Sequence, residues 1–103
     1  MQILTPGHKY VLDNFENPNS GQTIQFIEKQ AANAGSSELI TMHDGTTNEE
    51  MLRVLINRMY FLQDSFPCRE NALAITKMEE ALMWLEKRTA DRIKRDVEGK
   101  NLE

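Results

Sequence analysis

One apolar stripe governs the second half of this chain. From Cys68 onward, Asn71, Ile75, Met78, Leu82, Leu85 and Thr89 recur at steps of three and four residues, which line up one face of an α-helix. The pattern runs to about Ile93–Val97, and Gly99 is a plausible stop. A second helix lies upstream. Thr46 and Thr47 are candidate N-caps, and Glu49 and Glu50 place negative charge where the helix dipole favours it. Met51, Leu52, Leu55, Met59 and Leu62 then follow at helical spacing. "DSFPC" (64–68) interrupts the pattern, and Pro67 suits the first turn of the next helix. Two helices joined by so short a loop fold back antiparallel. Residues 46–99 are therefore expected to form a helical hairpin.

Residues 1–45 carry strand signals instead. "HKYVLDNF" (8–15) alternates, "NPNSGQ" (17–22) is turn chemistry, and "TIQFIEK" (23–29) resumes with Ile24 and Phe26 facing one way. These segments make a hairpin or meander. "QAANAGSS" (30–37) reads as a small-residue loop, and "ELITMHDG" (38–45) as a third strand ending in a turn at Asp44-Gly45. The expected fold is α+β: one domain over 1–103, with a small N-terminal antiparallel β-sheet and a C-terminal antiparallel helical hairpin. A chain of 103 residues buries only a modest core, so assembly into a homo-oligomer would stabilise it.

Charge and cysteine content exclude several functions. The net charge of −4 argues against a general DNA or RNA binder, although it leaves room for a local cationic pocket. The single cysteine, Cys68, rules out an intrachain disulfide or a cysteine-rich zinc site. "MQILTPGHKY" (1–10) lacks the pattern of a signal peptide, and no apolar run reaches membrane-spanning length. These features point to a soluble intracellular protein.

The positive charge gathers in "EKRTADRIKRDVEG" (86–99), where Arg88 and Arg92 stand four apart on the shoulder of the apolar stripe. A cation near a helix C-terminus is favourable with no function at all, and arginines there also snorkel or pair with glutamates. The functional alternative is a phosphate clamp, because two planar forks at this spacing point at one place. Near the other end, Phe61 offers a stacking face and Asn71 an amide able to read a base edge or hydroxyl. The two can meet across the hairpin. Arg88 lies 17 residues beyond Asn71, about 25 Å along a helix, so one chain cannot bring all of them to one small ligand. Two hairpins packed head to tail could, with a twofold axis making two equivalent pockets.

"CRENALAITKMEEALMWLEKRTADRIKRDVEG" (68–99) resembles the helical hairpin of phage anti-defence sponges, which anti-CBASS and Thoeris anti-defence proteins share. With "HKYVLDNFENPNSGQTIQFIEK" (8–29) and "DGTTNEEMLRVLINRM" (44–59), the chain looks most like the Thoeris anti-defence type one family. The resemblance implies a protein that binds glycocyclic ADP-ribose, the cyclic ADP-ribose isomer made by Thoeris TIR enzymes. It implies sequestration without cleavage, in the host bacterial cytoplasm, so that the downstream effector is never switched on. It also implies a site shared between two subunits, which maps onto Phe61, Asn71, Arg88 and Arg92. Relatives assemble to hexamers, and some take up cyclic oligonucleotides at separate sites. A basic residue that relatives contribute from the N-terminal part has no arginine to match it in 30–37.

The remaining candidates have plainer roles. His8 and His43 have no metal-like partners at useful spacing and are expected to be surface or core filler. "HDG" (43–45) lacks the glycines and lysine of a phosphate loop. Cys68 at a helix start beside Arg69 is where a thiol's pKa can fall, but no histidine stands near to activate it. Trp84 is expected to pack between subunits rather than stack on a ligand, and Met51, Met59 and Met78 are expected to be core. Glu79 and Glu80 are adjacent, point apart, and make no acid–base pair. No catalytic constellation, cofactor or metal site emerges, and the expectation is a binding protein, not an enzyme. Three alternatives stay open: a sponge for CBASS cyclic di- or trinucleotides, a helical module docking on a host protein, and hydrolysis of the nucleotide.

Overall fold

A computed structural model describes residues 1–95. The elements run β1 (Gln2–Thr5), β2 (Lys9–Val11), β3 (Thr23–Gln25), β4 (Glu28–Ala31), β5 (Leu39–His43), α1 (Asn48–Ser65) and α2 (Arg69–Lys94). They form two compact units that divide between Thr47 and Asn48. The fold is α+β, small antiparallel sheets followed by two helices.

In the first unit the strands form two sheets, not one: β1-β2-β3, and a separate pair β4-β5. β1 was not expected. It forms because Pro6 and Gly7 supply a tight turn: Gly7 takes φ 79°, and the His8 N–H donates to Thr5 O at 2.9 Å. β2 then pairs antiparallel with β3, with Tyr10 opposite Ile24. Their long connection keeps Gly21 against the backbone of Leu12, where a Cβ would fall 1.3 Å from the Leu12 carbonyl oxygen.

"TIQFIEK" is not a single strand. The chain passes from one sheet to the other at Phe26 and Ile27: the Phe26 N–H donates to His8 O, and the Ile27 N–H to Thr46 O. The segment read as a loop over 30–37 is shorter than expected. Gln30 and Ala31 pair with Ile40 and Leu39, and the turn between them is closed by Ala32 N–H to Glu38 O and Ser36 N–H to Asn33 O. Tyr10 and Phe26 meet edge to face, with centroids 6.0 Å apart, as the ring quadrupoles favour. Among the described residues of this unit, none is buried.

The second unit is a helical hairpin. On α2 the half-buried or buried positions are Asn71, Ile75, Met78, Leu82, Leu85, Thr89 and Arg92, a strict alternation of four- and three-residue steps. Such a seven-residue repeat keeps one seam facing a partner helix, as in a coiled coil. Ile75, 5% exposed, is the one buried core residue among those described. On α1 the seam runs through Glu49, Leu52, Ile56, Met59 and Gln63. Of the expected stripe, Met51, Leu52, Met59 and Leu62 are half-buried, and Leu55 alone turns outward. Leu55 is 44% exposed, and Ile56 takes the contact.

The helix ends differ from expectation by a few residues. α1 begins at Asn48, directly after Thr47, with Glu49 and Glu50 in its first turn. Pro67 lies outside α2. Cys68 caps it instead, in extended conformation (φ −151°, ψ 160°), its Sγ accepting from the Asn71 N–H at 3.4 Å. The Arg95 N–H turns back to the Asp91 carbonyl at 3.1 Å. Val97 and Gly99, expected near the helix end, lie outside the described residues.

Candidate functional site

The loop end of the hairpin is held by one side chain. The Gln63 amide donates to Cys68 O and its oxygen accepts from the Cys68 N–H, both at 3.0 Å. This pair of hydrogen bonds engages both backbone groups of Cys68, which in turn caps α2 by accepting from the Asn71 N–H. The start of α2, and with it Asn71, is thereby tied to the last turn of α1. The signal for Gln63 was available in the sequence as a polar residue at a seam position beside the break at 64–68, but spacing rules for apolar stripes pass over it.

Phe61 and Asn71 occupy different faces. Phe61 is 69% exposed and shares the outer face of α1 with Val54, 57% exposed, and Arg58. Asn71 is half-buried and begins the α2 seam. Phe66, at the loop tip, is 79% exposed. The hairpin therefore presents two aromatic rings at its loop end, turned away from the helix–helix seam.

At the opposite end, Arg88 and Arg92 divide by burial. Arg92 is half-buried and continues the seam past Thr89; Arg88 is exposed. Arg88 lines a shallow groove with Trp84, Lys87, Asp91 and Arg95. Within it the Lys87 ammonium pairs with Asp91 at 2.9 Å. Asn71 and Arg88 stand on one continuous helix, so their separation of about 25 Å is fixed by its rise.

Between these ends, the Tyr60 hydroxyl donates to Glu79 Oε2 at 2.8 Å and ties α1 to α2. That bond to a carboxylate holds the phenol's pKa above its ordinary value of 10.0. Ile56, Leu82 and Met83, with Glu79 and Glu86, line a second shallow groove. It is acidic and apolar, and offers no cation for an anionic ligand. No group of three or more histidine, cysteine or carboxylate side chains is placed to hold a metal ion among the described residues. No described helix is long and apolar enough to cross a membrane.

The arrangement is thus a stiff hairpin with aromatics and an amide at one end and arginines with a tryptophan at the other. Comparison with known proteins agrees with this architecture. The sequence profile of the Acb2/Tad1 hairpin domain matches residues 23–90, which include both helices nearly entire and Phe61, Asn71 and Arg88. Over 63 residues the chain is 56% identical to a protein of Bacillus phage SBSphiJ7 named Thoeris anti-defense 1. That match covers 58% of this chain and 44% of the relative, so the chain accounts for less than half of the relative's length. On the family match across most of its length, the chain belongs to the Acb2/Tad1 hairpin-domain family.

Proposed function

We propose that the protein is a phage anti-defence sponge that binds glycocyclic ADP-ribose in the host cytoplasm and sequesters it uncleaved, leaving the Thoeris effector inactive. The observation that carries this reading is the 56% identity to a relative named for Thoeris anti-defence, within a family match that includes α1 and most of α2. Phe61 stacks on the ligand, Asn71 reads a polar edge, and Arg88 and Arg92 hold its phosphates. The pocket is built from two copies, since the helix holds Asn71 and Arg88 too far apart for one. Sequestration needs affinity only, on the order of nanomolar, or about −12 kcal/mol.

The test is to titrate an Arg88→Ala, Arg92→Ala protein with a glycocyclic ADP-ribose isomer. Charge-assisted hydrogen bonds are worth about 1.5–3 kcal/mol each, so losing two should weaken binding about 100-fold or more. The assembled mass should not change. Affinity equal to that of the wild type would reject the arginine clamp. A parallel titration with CBASS cyclic di- and trinucleotides separates the competing ligand class.

A further inference from the structure

Trp84 is a surface residue, not a core residue. It stands nine residues beyond the buried Ile75, about two and a half helical turns, and so on the side of α2 opposite the seam. It is 62% exposed. Its neighbours are not apolar: the groove it lines is completed by Lys87, Arg88, Asp91 and Arg95. Lys87 and Asp91 neutralise each other at 2.9 Å, which leaves Arg88 and Arg95 as the cations of the groove without an ion pair among the described residues. A net-positive groove beside an exposed indole, in a chain of net charge −4, matches a ligand that is both anionic and planar. An indole face offers stacking to any base, and arginines one and three turns beyond it suit phosphates attached to that base.

We propose that Trp84 is an aromatic wall of the nucleotide site, stacking on the base of the ligand whose phosphates Arg88 holds, with Arg95 as a further cation on the same face. This rests on the sponge reading above, and it adds a stacking surface at the arginine end to the Phe61 ring at the loop end.

Trp84 is the chain's single tryptophan, so emission from the intact wild-type protein reports on this residue alone. The experiment titrates wild type, Trp84→Phe and Trp84→Ala with a glycocyclic ADP-ribose isomer by calorimetry, and follows wild-type emission over the same titration. The expected result is saturable quenching with the midpoint of the calorimetric isotherm. Trp84→Ala should bind about 10-fold or more weakly, and Trp84→Phe should recover most of the loss because it restores a ring. Binding heat with unchanged emission and equal affinity in all three proteins would overturn the Trp84 assignment and leave the sponge reading intact. No heat and no quenching in the wild type would overturn both. If Trp84→Ala alters the assembled mass, the wild-type emission and Trp84→Phe decide. Quenching with retained affinity in the phenylalanine variant supports stacking, whereas unchanged emission assigns Trp84 to subunit packing.

Discussion

The Tyr60 hydroxyl bonds to Glu79 on the neighbouring helix, and this contact carries a pH signature. Ionising the phenol would give up its hydrogen bond to Glu79 and set two negative charges together, so the folded state holds its pKa above 10.0. A group with a raised folded pKa stabilises the fold fully below its unfolded value and loses that contribution as pH rises through the folded one. The protein should therefore lose thermal stability above about pH 10, and Tyr60→Phe should lose it less steeply over the same range. Thermal melts across that window check this; parallel slopes would show that the bond does not form in solution. The same scale shows what spacing alone could yield. The i, i+4 relation of Arg88 and Arg92 was legible, and so was the chemistry of two forks. Their unequal burial was not, because it depends on where the seam of α2 runs. Joining them to Phe61 and Asn71 required the family resemblance, since no local rule connects residues about 25 Å apart along a helix.

At the scale of elements, the hairpin rests on a narrow seam and one clip. Ile75 is the only buried residue among those described, so Ile75→Ala should cost about 2–4 kcal/mol. Gln63→Ala removes two hydrogen bonds to Cys68 and should cost about 1–2 kcal/mol, less than the core change. Urea unfolding of both variants measures these costs. If Gln63→Ala proved neutral, the clip would not hold the loop. Both helices were legible from periodicity because 18 and 26 residues of regular spacing leave little ambiguity. Choosing Ile56 over Leu55 was not, since both sets of positions obey the same spacing and only the partner helix selects between them. Strands of three to five residues carry a far weaker signal. β1 went unrecognised although Pro6-Gly7 marks its turn, and the break at Phe26 follows from hydrogen bonds to His8 and Thr46 that no local pattern encodes.

At the scale of the whole molecule, the surplus of exposed apolar side chains is the dominant feature. Phe15, Val54, Phe61, Phe66, Met83, Trp84 and Ile93 each expose more than half their surface, while Ile75 alone is buried among the described residues. Single apolar residues on a surface are ordinary, but so many beside so small a core favour further association. The sponge reading requires at least a dimer to complete its pocket, so sedimentation should give a mass that is a multiple of 11.9 kDa. A monomer at the working concentration would leave Asn71 and Arg88 unable to share a ligand. The central claim is capture without chemistry. The most direct measurement is calorimetric titration of the pure protein with a glycocyclic ADP-ribose isomer, followed by heat denaturation and mass spectrometry of the released ligand. The account predicts tight binding, on the order of nanomolar, and recovery of the ligand with its mass unchanged. Failure to bind, or recovery of an opened or cleaved product, would contradict it.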